Sequence, residues 1–492
     1  MNKKVITVIA IVLACILLIS ALAVTLSLNH NADDDNNNGY VPTDDPYEKD
    51  DLPALDYGGE PVTILYWNDG EHDEFDITET SDDMLKNSIY NRNRTVEQRL
   101  GITFEYVGTP GFETASFEKK LYDDIFSGAC DYDLVASFSM TVASCATSNL
   151  CCDLLEYDYL NFDKPWWPKS LTDQATINRK LYFAAGDIST STLYEMYMVF
   201  YNIDMFDEYR IGEDPVSLAL DGKWTWEKLY EYASIVGYEE RNGDNIRSDG
   251  DRFGFILEDA TIDPIFFSAG LRMFSHDNSG GISVDESCFS SNAAEFIDRF
   301  NRFLHTSGDA YFRPKSTDLS ARTTGQMFSR GEALMTVGRA CWARDIFATV
   351  ENLNYGILPV PKANEDQDYV SALYARDTFY AISAGTPIDE IAAATMECMA
   401  SESYRRVTPV LFETIMKLRY SPTAASSQIY DIVRASISFD LSRVFHRALS
   451  SIPLYVFRNA VKDNTPWGSN ATNTTKQLNR LIEEYIMDAF EK

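Results

Sequence analysis

Residues 5–28 form one uninterrupted apolar run, and an Asn- and Asp-rich stretch comes directly after it. Lys3 and Lys4 precede the run, and the next charges are Asp33, Asp34 and Asp35. A helix of about 24 residues at ~1.5 Å rise is about 36 Å long, enough to cross a ~30 Å hydrocarbon core. Two lysines ahead of it favour a cytoplasmic N-terminus and export of the remainder of the chain. The polar stretch that comes next cannot build a core and reads as a solvated tether. Three fates for the run stay open: retention as an anchor, cleavage after the small-x-small site Ala21-Leu22-Ala23, or lipidation of Cys15 in the lipobox-like Val12-Leu13-Ala14-Cys15. Each places the body outside the membrane, on or near its extracellular face.

Beyond the tether the hydrophobic period switches between strand and helix. Val62–Trp67 is rich in β-formers. Leu85, Ile89, Val96 and Leu100 share one helical face, and Gly101 is the stop. Ile102–Val107 alternates as a strand; Phe117, Leu121 and Ile125 mark a helix that ends near Gly128; Asp133–Ser137 is a third strand. Strands alternating with helices predict a mostly parallel sheet with right-handed crossovers. Ala333–Val337 and Tyr355–Pro361 predict further strands.

Parallel sheets bind ligands beyond the carboxyl ends of their strands. The candidate residues at those exits are Trp67, Asn68 and Asp69, then Ser137, Phe138 and Ser139, then Arg339 and Trp342. Arg376 and Asp377 either face a cleft or form a structural pair. With 7 Trp, 28 Tyr and 28 Phe, aromatic platforms for a sugar ring are plentiful, although core packing claims most such residues. Trp166, Trp167, Trp224 and Trp226 read mainly as packing, with Thr225 as a helix N-cap.

Net charge is −33, which excludes nucleic acid as a partner because the phosphate attraction would be reversed in sign. It also disfavours a strongly anionic ligand unless a local basic pocket overrides the average. Beyond Cys15 there are cysteines at 130, 145, 151, 152, 288, 341 and 398, an odd count with no CxxC pair, so neither a disulfide framework nor a zinc site is expected. No HExxH, GxSxG, Walker or GxGxxG motif occurs, and no cofactor is implied. Glu240–Asp251 places oxygen atoms at loop positions 1, 3, 5, 9 and 12, as a calcium loop requires, but Asn245 stands where Gly is usual and Glu240 and Asp251 depart from the pattern at its ends, so the loop reads first as a polar turn and second as a calcium site. Scattered carboxylates leave a secreted glycan hydrolase as a further option.

Several blocks in fixed order carry a resemblance. They are Asn87–Glu97, Asp131–Val135, Lys180–Phe183, Val199–Phe206, Lys223–Glu227, Gly331–Met335, Tyr355–Pro361 and Ala400–Tyr404 with Pro409. Together they resemble an extracellular solute-binding protein of family 1, the sugar-capturing component of an ABC importer. The resemblance implies an α/β, periplasmic-binding-protein-like fold: two lobes, each a mostly parallel sheet flanked by helices, with a hinge of two or three crossings. The expected division is anchor 1–28, tether 29–57, first lobe 58–190, second lobe 191–358, return to the first lobe 359–430, and second-lobe and hinge helices 431–492. Trp342 matches the place where relatives put a stacking tryptophan, and Trp67 and Asp69 match the first cleft loop. The implied function is capture of a carbohydrate, as an oligosaccharide, for delivery to permease subunits by a monomeric protein without enzymatic activity. A ligand-sensing module of a membrane signalling system is the alternative.

Overall fold

Two β-sheets joined by three chain crossings organise the computed structural model, which describes residues 47–69, 74–313, 323–420 and 424–491. The apolar run 5–28 lies outside those residues, and no helix within them is long and apolar enough to cross a membrane. Residues from Glu48 onward form one compact unit.

In chain order the strands are β1 (Glu60–Trp67), β2 (Ile102–Thr109), β3 (Leu134–Phe138), β4 (Tyr197–Asn202), β5 (Tyr238–Glu239) and β6 (Arg252–Glu258). Then come β7 (Phe274–His276), β8 (Ile282–Val284), β9 (Ala310–Arg313), β10 (Ala333–Arg339), β11 (Tyr355–Leu358) and β12 (Thr378–Ile382). The first sheet has the order β12-β3-β1-β2. Strands β1, β2 and β3 are parallel, and β12 runs against β3. Between β1 and β2 lies the helix Met84–Leu100, which starts where Asp83 accepts the N–H groups of Leu85 and Lys86 at 2.9 Å each. It stops at Gly101, whose φ of 63° is a left-handed conformation that costs a side chain more than glycine.

The second sheet has the order β11-β4-β10-β6-β5, with β9 on β6. It is mixed, not mostly parallel: β4 opposes both β10 and β11, while β10 and β9 run with β6. The reason is the entry point. Strand β4 comes straight from the hinge, so it must oppose the strands that end there. Arg339, the last residue of β10, is paired with Tyr197, the first of β4, and Thr378, the first of β12, is paired with Phe138, the last of β3. Both sheets thus turn the carboxyl ends of their parallel strands toward the crossings.

The first crossing, residues 184–197, and the second, residues 371–378, are zipped together. Tyr197 N–H donates to the Ala372 carbonyl at 3.1 Å, and Tyr374 N–H to the Glu195 carbonyl at 3.0 Å. A third crossing joins them: Ser371 N–H donates to Ser436 and Ser438 N–H to Ser371, each at 2.9 Å.

Composition assigned residues through 57 to the tether. From Glu48 onward this stretch makes contacts with the first lobe. Asp50 pairs with Arg99 at 2.6 Å, Lys164 holds both Glu48 and Asp51 at 2.9 Å, and Tyr57 N–H donates to the Leu100 carbonyl at 2.8 Å. Basic residues of the first lobe neutralise this acidic stretch, which composition alone could not anticipate.

Candidate ligand-binding site

The crossings form a floor on which aromatic rings and guanidinium groups alternate. Arg339 reaches from the end of β10 to the buried Glu195 carboxylate, with its NH1 at 3.1 and 2.9 Å from the two oxygens. Its guanidinium lies 4.7 Å from the Tyr374 ring centroid. Arg376 stands 4.1 Å from the Phe112 ring and 5.3 Å from Tyr374. Phe112 is placed by Asp69, whose carboxylate accepts the N–H groups of Gly111 and Phe112.

Two cavities meet at Tyr374. One, of about 210 Å³, is bounded by Glu258, Thr261, Thr323, Arg339 and Trp342. The other, of about 260 Å³, is bounded by Phe112, Phe138, Asp263, Arg376, Arg443 and Arg458. A third, of about 270 Å³, adjoins the first through Asp345 and is lined by Lys86, Tyr194, Arg344 and Tyr420. A larger cavity of about 340 Å³ lies elsewhere along the crossings, around Asp187, Thr408 and Arg434. It shares no residue with the Tyr374 cavities, and its one acid is already bonded to Thr408 and Arg434.

Burial and charge set the protonation of these walls. Burial alone would raise Asp263, but Arg443 and Arg458 outweigh it and hold the carboxyl below its ordinary range. Arg458 binds it through two nitrogens at 2.8 and 2.6 Å, and Arg443 approaches to 3.3 Å. His446 is pushed down to about 4 by burial and then by Arg443 and Arg447, so it is neutral at pH 7. Asp377 is pushed up to about 7 by burial, against the hydrogen bond from Ser139.

This arrangement, a floor of crossings between two sheets that end on it, coincides with a sequence match. Residues 97–406 fit the family described as bacterial extracellular solute-binding protein. The chain belongs to that family.

The fold comparison agrees. A cyclo/maltodextrin-binding protein solved with maltotetraose superposes with a TM-score of 0.55 at 14% identity, covering 87% of this chain and 98% of that one. An ABC substrate-binding protein from Listeria monocytogenes in complex with cycloalternan gives 0.54 at 13%, covering 86% and 99%. A receptor of Streptomyces glaucescens, solved unliganded and with acarbose, gives 0.53 at 15%, covering 87% and 99%. At these identities the likeness is one of fold: two-lobed, α/β and periplasmic-binding-protein-like. None of the curated protein sequences compared with the chain matches it.

Within this solute-binding protein the residues proposed from strand exits divide sharply. Arg339 and Arg376 flank Tyr374 on the floor. Trp342 borders the 210 Å³ cavity but is only 5% exposed, its ring stacked on Phe200 at 6.1 Å and closed in by Gly325 and Gly338. Trp67 belongs to the core: it is 2% exposed, packs on Phe138 at 4.6 Å, and donates its indole N–H to Thr378. Phe138 lies in the wall of the 260 Å³ cavity, whereas Ser137 is buried in β3 away from it. Ser139 donates its N–H to the Asp377 carbonyl and its hydroxyl to the Ala375 carbonyl. Asp377 is buried. Asn68 is exposed beside Gly108, and Asp69 positions a loop.

Sequence reasoning missed Tyr374, Phe112, Asp263, Arg443 and Arg458. Tyr374 was the most accessible of these, two residues before Arg376 in a segment leading into a strand. Asp263 and Arg458 are 195 residues apart and sit on separate helices, so no local pattern marks them.

Other motifs resolve simply. Trp224 and Trp226 are buried, donating to the Pro359 carbonyl and to Ser268, and Trp167 donates to Glu397 at 2.8 Å. In the Glu240–Asp251 loop, Asp251 accepts the N–H groups of Arg241 and Ser248 and Glu240 accepts that of Gly243, the bonding of a polar turn. Asn245 there has φ of 59°. Among the described residues no group of three or more metal-ligating side chains converges, and the seven cysteines are free thiols.

Proposed function

We propose that this solute-binding protein captures a carbohydrate between its lobes and delivers it to the permease of an ABC importer. The observation that carries the reading is the meeting of two cavities on the half-buried Tyr374 ring, between Arg339 and Arg376. An aromatic face accepts the C–H face of a sugar ring, and flanking guanidinium groups, Glu258 and Thr261 bond its hydroxyls. Each cavity is smaller than the ~300–1,000 Å³ of an ordinary small-molecule site, and the adjoining cavities together reach that range, which favours an oligosaccharide over a single ring.

Function then requires binding with closure. Contacts made from both lobes stabilise the closed state by their differential free energy alone. A change from 1:99 to 99:1 closed needs ~5.5 kcal/mol of such difference, within reach of a few stacked rings with bonded hydroxyls. No covalent step is involved. The protein acts as a monomer on the outer face of the membrane, held there by its N-terminal segment.

The test is a thermal-shift and calorimetric panel of mono- and oligosaccharides, amino acids and peptides. A ligand that binds only the folded state raises the melting temperature. Shifts confined to peptides or amino acids would overturn the carbohydrate assignment. Recovery of the bound sugar chemically unchanged checks that the protein is not a hydrolase.

A further inference from the structure

The cavity of about 340 Å³ takes no part in the floor around Tyr374. Its volume lies within the ~300–1,000 Å³ of small-molecule sites, and both lobes wall it. Pro165, Pro168 and Ser170 come from the first lobe, while Arg434 and Ala435 end the helix Ala424–Ala435, which packs on β11 of the second sheet. Between them runs the first crossing at Gly186 and Asp187. A Cβ at Gly186, whose φ is 132°, would lie 2.2 Å from the Trp166 carbonyl oxygen and 2.6 Å from the Pro168 ring, so this wall is closely fitted. Asp187 is 9% exposed at its side chain, and both its partners, Thr408 Oγ1 and Arg434 at 3.2 Å, donate to the same oxygen, Oδ1. Oδ2 accepts from no described group, and burial pushes the carboxyl above its ordinary range despite both partners. Arg434 is one-third exposed and spends one nitrogen on Asp187, with its guanidinium 4.7 Å from the Phe412 ring. An acceptor and a donor with capacity to spare thus stand side by side.

We propose that this cavity is an accessory site for a small neutral polyhydroxylated molecule, a free sugar or polyol, separate from the ligand held at Tyr374. Adjacent hydroxyls fit the pair: one donates to Asp187 Oδ2 while its neighbour accepts from Arg434. A simple anion would meet Asp187 and a simple cation Arg434, so the lining favours a ligand without net charge. Lys169 is 76% exposed and bridged to Asp173 at 2.8 Å, and adds little to the field inside. Leu193, Ile437 and Phe439 supply an apolar wall for C–H groups. Thr192, buried on the same wall, has a hydroxyl without a partner among the described residues. Because both lobes touch a molecule held there, any difference in its affinity between open and closed forms shifts the lobe equilibrium.

The experiment uses the full-length protein in a detergent without a sugar headgroup and four probes: glucose, myo-inositol, glycerol and, as a zwitterion, glycine. Calorimetry compares the wild type with Ser170→Trp, Asp187→Asn and Tyr374→Ala. A neutral probe is expected to bind the wild type, and Tyr374→Ala to retain that binding. Ser170 is exposed, so Ser170→Trp keeps the fold while its ring fills the cavity, and binding is expected to vanish. Asp187→Asn removes the charge at Oδ2 and is expected to weaken binding about tenfold. Melting temperatures check both variants; if Asp187→Asn does not fold, Ser170→Trp decides alone. Binding that Tyr374→Ala removes and Ser170→Trp retains puts the probe in the cleft, which overturns the accessory site and leaves the carbohydrate reading standing. Binding of no neutral probe, or of glycine alone, also overturns it.

Discussion

Trp67 donates its indole N–H to Thr378 Oγ1 at 2.9 Å, tying the end of β1 to the second crossing at the start of β12. Thr378 also receives the Ser191 hydroxyl at 2.9 Å and donates to the buried Glu74. Glu74 in turn accepts Thr190 Oγ1 at 2.8 Å and Ser191 N–H at 3.1 Å, on the first crossing. A residue at a strand exit thus anchors the root of the hinge. Trp67→Phe keeps most of the apolar volume and removes the donor, so unfolding in urea is expected to show a loss of about 1–2 kcal/mol. A variant of unchanged stability that fails to bind sugar would return Trp67 to the cleft.

Tyr374 should behave as the contact residue. Tyr374→Ala is expected to weaken ligand binding by about 2 kcal/mol with little loss of stability, because the ring is half-buried on the floor. Trp342→Ala should instead cost about 3–5 kcal/mol of stability, since its ring fills a space between Phe200 and Phe347. Affinities paired with melting curves for the two variants separate the roles; the reverse pattern would exchange them.

Gly338 makes room for that indole. A Cβ built there would lie 2.2 Å from Trp342 Cε3, a separation no side chain tolerates. Gly338→Ala is therefore expected to cost about 1–3 kcal/mol and to shift tryptophan fluorescence. Wild-type stability and spectrum would show that the ring moves freely.

The ion pair beneath the floor predicts strong coupling. Glu195 is fully buried and holds Arg339 at 2.9 Å. Glu195→Gln leaves a guanidinium without its counter-charge, an expected loss of about 3–5 kcal/mol. Adding Arg339→Met should recover part of it. Simple additivity in this double-mutant cycle would mean that the pair is not coupled.

Asp377 makes stability depend on pH in the direction opposite to most carboxylates. Its folded pKa is about 7 against an ordinary 3.8, so between those values the folded state holds the extra proton. The stability it allows is present below pH ~4 and is lost as pH rises toward ~7. His446, depressed to about 4, acts with the contrary sign over an overlapping window. Asp377→Asn removes the first contribution, so its stability relative to wild type should climb from about pH 4 to 7. A flat difference across urea melts at those pH values would show that Asp377 does not titrate there.

Local elements were legible because their determinants are local. The period of Leu85, Ile89, Val96 and Leu100 with Gly101 behind it produced the helix Met84–Leu100, and β-formers before Trp67 produced β1. The strand-exit rule named residues at the end of each sheet that meets the crossings. It could not say which way a side chain at that edge turns. Trp67 and Ser137 point into the core and Arg339 points to the floor, a choice made by what packs beside them.

Sequence by itself determined the alternating strands and helices, the family, and an acidic character, since each is written in nearest neighbours, ordered blocks or composition. Only tertiary structure decided that the second sheet is mixed, that the stretch from Glu48 docks, and that Tyr374 is the floor. It alone gathered Asp263, Arg376, Arg443 and Arg458 onto one wall. Those outcomes depend on three crossings that bring distant segments into contact, and contact at a distance leaves no periodic trace along the chain.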